Sequence, residues 1–190
     1  MSPRKASPIA LEYILLDLVD QKPRHGYEIF KELERLEGIG LIWHLKQSQL
    51  YALLEKLENH GLLAGQIFPG ENRPDRKELR LTDPGKKQLE EWADTPVESP
   101  REMRQVFLAK LNHVNRTDPG RRTRMLVDRQ KSTCLRWETE LLAEMEKVLP
   151  ASDFTCAVLD YRLRQVQACR DWLEQLPEIL NEYGGDPSEL

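Results

Sequence analysis

Three cysteines in 190 residues, Cys134, Cys156 and Cys169, are too few and too widely spaced for a disulfide framework, and no C-x-x-C occurs. They are expected as reduced thiols, each a small buried hydrophobe. The four histidines, His25, His44, His60 and His113, show no H-x-x-x-H spacing, so neither metal nor cofactor is expected. Nucleophile elbow, Gly-rich phosphate loop and Cys/His pair are all missing, which argues against an enzyme; no catalytic residue is assigned. No apolar run approaches the roughly 20 residues that span a bilayer. The basic start, Met1 to Lys5, is followed by Glu12 and Asp17, unlike a signal peptide, and a cytoplasmic location is the expectation. An excess of positive charge is also lacking. The net charge is −4, and residues 1–95 and 96–190 each hold 14 Lys+Arg against 16 Asp+Glu. Any nucleic-acid footprint must then be a local patch and not a domain-wide field.

What the chain has in quantity is helix formers in apolar periodicity. Hydrophobic residues make up 39% and charged residues 32%, the balance of a polar, mainly helical protein. Ser7-Pro8 caps a first helix with a broad apolar face, from Ile9 to Val19, that stops near Pro23. His25-Gly26-Tyr27-Glu28 opens a second. A third spans Lys46 to Gly61, where Leu50, Leu53, Leu54 and Leu57 repeat at i, i+3, i+4, i+7 and Gly61 suits the left-handed position past the end. Leu62 to Phe68 and Arg76 to Leu81 are strand candidates around a turn-rich tip at 69–75. Thr82 then caps a further helix containing Leu89 and Trp92.

Helix, helix, helix, strand, strand, helix is the order of a winged helix-turn-helix. The third helix would enter the major groove and the hairpin would lie on the phosphate backbone. Arg73, Arg76, Lys77 and Arg80 supply the local positive patch. Asp94 to Pro100, polar with two prolines, marks a boundary: residues 1–95 form a winged-helix DNA-binding domain and 96–190 a helical domain. In the second domain, helices are expected over 101–114, from 117 to about 149, and from Ser152 or Asp153 to Pro177 or a turn beyond. The last is apolar around much of its circumference, which one neighbour cannot cover and a second copy can. A two-fold helical dimerisation domain follows.

Taken together, these residues resemble the PadR family of transcriptional regulators. The resemblance rests on His25-Gly26-Tyr27-Glu28, on Ser48-Gln49-Leu50-Tyr51 and Leu54-Glu55-Lys56-Leu57-Glu58 with Gly61-Leu62, and on the wing run Arg73-Pro74, Arg76-Lys77, Arg80-Leu81-Thr82. Phe107 to Leu111, Asp160-Tyr161 and Trp172-Leu173 extend it over nearly the whole chain. The family implies a homodimer held by its C-terminal helices, repression more often than activation, and, in many members, release by a small aromatic effector. Two departures stand out. Lys46-Gln47-Ser48-Gln49 replaces the common Ser-Pro-Gly-Ser, and Glu78-Leu79 stands where two aromatic residues are usual in the wing.

The expected site follows. Gln47, Ser48 and Gln49 read base edges. Tyr27, Tyr51 and Lys56 anchor phosphates, and Arg73, Arg76 and Lys77 hold the flanking backbone of double-stranded, palindromic DNA. Trp92, Phe107, Trp137 and Trp172 are the candidates for an effector site. The rival readings are a winged-helix module that binds protein, or an activator with no effector.

Overall fold

The computed structural model describes residues 10–35, 38–42, 45–69, 76–148 and 153–183. Its described residues form two compact units: the chain up to Asp94 with Arg104–Thr117, and Thr95–Met103 with the chain from Asp118. The first unit runs to Asp94, beside the expected boundary, while Arg104–Thr117, expected in the second domain, packs with the first unit.

In the first unit, α1 (Ala10–Gln21) is the central helix. Leu15, Leu16 and Val19 are buried with Ile29, Leu50, Leu57 and Leu89 of its neighbours. The expected cap at Ser7-Pro8 lies outside the described residues. Pro23 ends α1 as expected, and Arg24–His25 form a short strand, β1, leading into α2 (Gly26–Glu34). A turn of 3-10 helix at Gly38–Leu41 precedes α3 (Gln47–Asn59). The end of α3 is closed by the N–H of Leu62 on the Leu57 carbonyl (2.9 Å) and that of Gly61 on Glu58 (2.8 Å). Gly61 has φ +70°, the left-handed residue such a cap requires.

Strands β2 (Leu63–Phe68) and β3 (Arg76–Leu81) pair antiparallel from Leu63↔Leu81 to Phe68↔Arg76. The expected two-stranded wing is a three-stranded sheet, ordered β1-β3-β2, with Arg24↔Leu79 and His25↔Glu78 as the added pairs. A two-residue strand is too short to show a period of two, so the sequence carries no signal for it. Helix α4 (Asp83–Ala93) begins at Thr82, whose hydroxyl oxygen accepts from the Gly85 N–H at 3.1 Å while its O–H donates to the Gly61 carbonyl at 2.7 Å. One side chain thus caps α4 and joins it to the end of α3. Trp92 stacks on Tyr13 of α1, centroids 4.5 Å apart and planes 4° from parallel. Helix α5 (Leu108–Thr117) completes this unit. The expected helix over 101–114 begins instead as a 3-10 turn at Pro100–Glu102 and a wide π turn at Met103–Phe107.

The second unit is an antiparallel pair, α6 (Arg121–Val148) and α7 (Asp153–Tyr183). Leu126, Trp137 and Leu141 are buried on α6, and Leu159, Val166, Leu173 and Leu176 on α7. Glu138 of α6 receives Gln167 (2.8 Å) and Arg170 of α7. The Gln130 side-chain amide clamps Val97, accepting from its N–H at 2.8 Å and donating to its carbonyl at 3.4 Å. Helix α7 continues beyond Pro177 to Tyr183, further than expected. The ring is exposed while Leu173 and Leu176 beside it are buried. Packing of that stripe outweighs the roughly 3 kcal/mol an interior proline costs. Of the three cysteines only Cys134 is buried; Cys156 and Cys169 are partly open. Burial pushes the Cys134 thiol up to about 11.

Candidate nucleic-acid interface

Leu50, Leu54 and Leu57 face the core and fix the rotation of α3. At about 100° per residue, Ser48, Ala52, Glu55 and Asn59 then form the stripe opposite, and all four are exposed. Of the expected base readers, Ser48 lies on this stripe. Gln47 and Gln49 are exposed on its flanks. The Gln49 carboxamide turns back, its oxygen accepting from the Lys46 N–H at 3.2 Å. That bond satisfies one of the helix's orphan donors and makes Gln49 a capping residue in this conformation. Ala52, Glu55 and Asn59 share this stripe and stand outside the expected set; the spacing i, i+4, i+7, i+11 from Ser48 identifies them.

The expected phosphate contacts divide into open and occupied groups. Tyr27 is 56% exposed, with the Lys31 ammonium 5.6 Å from its ring centre. Tyr51 is exposed and lines a cavity of about 310 Å³ with Leu54, Lys77 and Leu79. Lys56 reaches back to Glu12 of α1, Nζ to Oε1 2.6 Å, where the carboxylate is 4% exposed. Neutralising a buried acid is therefore its first role. Lys77 Nζ lies 2.7 Å from Glu58 of α3, and Arg80 is 3.0 Å from Glu78. Arg76 is exposed and has no ion pair among the described residues. Arg73 lies outside the described residues.

The Lys77–Glu58 bond depends on a missing side chain. A Cβ on Gly65 would fall 2.3 Å from Lys77 Cε and 2.6 Å from Glu58 Oε1. The lysine stem crosses β2 over Gly65, where a side chain would push both partners aside, and so links the wing to α3. His25 adds a second link. Its Nδ1 lies 3.1 Å from the Lys77 carbonyl; a carbonyl can only accept, so Nδ1 carries the hydrogen. Its backbone N–H donates to Glu28 at 2.9 Å.

The effector candidates fall apart by environment. Trp92 is held between Tyr13 and the Lys110 ammonium, 5.2 Å from its ring centre, and Phe107 is fully buried; both belong to the first unit. Trp137 and Trp172 belong to the second. There a groove of about 910 Å³ is lined by Trp137, Leu141, Val158 and Tyr161 together with Glu98, Glu140 and Glu144. Of the four candidates only Trp137 lines it.

Asp17, Asp20 and His113 bring three metal-type ligand atoms within 4.8 Å of one another. Arg116 occupies that space, donating to Asp17 at 2.6 Å and to Asp20 at 3.5 Å. The fully buried His113 places Nδ1 2.6 Å from Asp17 and Nε2 3.5 Å from Glu90. Burial raises the Asp17 carboxyl, but hydrogen bonds and charge from His113 and Arg116 outweigh it and hold it below its ordinary range. This cluster fastens α5 to α1. No periodic signal marks it in the sequence, because its two halves lie nearly a hundred positions apart.

The pattern of the transcriptional regulator PadR-like family matches residues 15–91. A probable transcriptional regulator of Mycobacterium tuberculosis is 25% identical over 189 residues, covering 92% of this chain and 99% of that one. The negative transcriptional regulator PadR of Bacillus subtilis is 29% identical over 100 residues, 53% of this chain and 54% of that one. Its crystal structure, in complex with operator DNA, aligns with 90% of this chain and 99% of that chain at 24% identity and a TM-score of 0.46. A PadR family transcriptional regulator from Eggerthella lenta is 30% identical over 43% of this chain and 67% of that one, TM-score 0.37. Residues 15–91 belong to the PadR-like family of transcriptional regulators.

Proposed function

We propose that the chain is a sequence-specific DNA-binding repressor that acts as a homodimer in the cytoplasm. The observation that carries this reading is the open stripe Ser48, Ala52, Glu55 and Asn59 of α3, which is exposed among the described residues, set beside a wing bearing Arg76 and Lys77. Ser48 and Gln47 read base edges, Tyr27 and Tyr51 meet phosphates, and Arg76 with Arg73 holds the flanking backbone. Repression is supported by the negative regulator of Bacillus subtilis among the relatives.

Dimerisation is supported by the second unit. Phe154, Val158 and Tyr161 follow one face of α7 at i, i+4, i+7, with Phe154 79% and Tyr161 62% exposed, and Leu135 and Leu142 are exposed on α6. Such a row needs a cover. Two heads on one dimer would read half-sites about 34 Å apart. In this reading residues 95–190 supply dimerisation, except for 104–117, which serve the head. The groove beside Trp137 is the place for an aromatic effector, which could act by binding one spacing of the heads more tightly than another. No helix among the described residues is long and apolar enough to cross a membrane.

The test is a gel shift of the full chain on DNA upstream of its own gene, in low salt. A discrete complex that competitor DNA fails to displace is expected. Ser48→Ala should change sequence preference, whereas Arg76→Ala should weaken all sequences alike. An intact dimer that binds no DNA would leave the protein-binding module as the better reading.

A further inference from the structure

Every described carboxylate from α2 through β3 has a partner, with one exception. Glu28 accepts from the His25 N–H, Glu32 pairs with Arg24 and Arg35, and Glu34 with Lys31. Glu58 holds Lys77 and Glu78 holds Arg80. Glu55 is exposed and has no hydrogen bond or ion pair among the described residues. It is also the one acid on the outward stripe of α3, a turn from both Ala52 and Asn59. Lys77 lines the same small cavity as Glu55, yet its ammonium is committed to Glu58 at 2.7 Å.

An unpaired carboxylate at this place is repelled by phosphates and opposes binding to an arbitrary duplex. A carboxylate can only accept, and in the major groove the donors are the exocyclic amines of cytosine and adenine. The adenine amine lies between two acceptors, its own N7 and O4 of the paired thymine. The cytosine amine has a C–H on one side and so repels a carboxylate less. Ala52, one turn away, is short enough to let the groove floor approach. We propose that Glu55 reads one cytosine in each operator half-site, its carboxylate accepting from the N4 amine. The inference rests on the proposed DNA-binding function and adds to it a specificity residue that works partly by exclusion.

The test is selection of binding sites from a randomised duplex library by the full chain and by Glu55→Ala and Glu55→Gln. The expected result is one C·G pair per half-site in the wild-type motif, favoured about tenfold over other pairs. Glu55→Ala should lose that preference while its affinity for non-specific duplex rises. Glu55→Gln should move the preference at that position toward adenine. Wild type and both variants returning the same motif would overturn the assignment and leave DNA binding intact. A wild-type chain that selects no motif would overturn both.

Discussion

Replacing Asp17 by Asn tests how α5 is held to α1. The substitution keeps the shape and removes the charge that receives His113 and Arg116, each at 2.6 Å. His113 is wholly buried and has no water to turn to. Breaking a buried ion pair from one side costs about 3–5 kcal/mol. Arg116 is one-third exposed and also reaches Asp20, so about 3 kcal/mol is the better figure. For a unit of roughly 100 residues, that lowers the melting temperature by about 12–24 °C. The carboxyl of Asp17 is held below its ordinary range in the folded chain. Its contribution is therefore complete above the unfolded-state value near pH 4 and fades as pH falls through the folded value. Thermal unfolding of wild type and Asp17→Asn at pH 7, and again at about pH 3 and below, should show a large gap that narrows with acid. A gap under about 0.5 kcal/mol at pH 7, or one that acid leaves unchanged, would refute the account.

Three other outcomes are expected. Glu58→Gln should free Lys77 and steepen the dependence of DNA affinity on salt by about one phosphate's worth, while Lys77→Ala in the wild-type background should not steepen it; fluorescence anisotropy across salt concentrations measures both. With its thiol near 11 and its side chain buried, Cys134 should be the last of the three cysteines to react with iodoacetamide at about pH 8, as mass spectrometry of timed digests would show. Phe154→Glu, a charge placed on the most exposed apolar residue of α7, should shift the chain to monomers in sedimentation, and an unchanged dimer would move the interface elsewhere.

The head was legible because its signals are local. The leucine repeat of α3, the glycine that ends it, the alternation in β3 and the Thr82 cap each lie within a few residues, and all are in place. What stayed hidden came from distant pairings. The sequence could not show that Lys56 answers Glu12, or that Lys77 crosses Gly65 to reach Glu58. Those pairings account for a near-neutral head: several of its cations already have carboxylates. Gln49 shows a different limit. Its residue type suits base reading, but the first turn of a helix offers it an unsatisfied N–H nearby, and the cap takes it.

The route of the chain has a consequence for how the protein is made. Arg104–Thr117 belongs with residues that precede Asp94, so the head is discontinuous in the order of synthesis. At about 5–20 residues per second, the ribosome exposes the polar side of α1 for seconds before the helix that answers it, α5, emerges. Asp17 must wait for His113 and Arg116. A fragment cut at residue 95 would never receive them, and would enter any binding assay with Asp17 stripped of both partners. A fragment meant to report on the head should therefore run past Thr117.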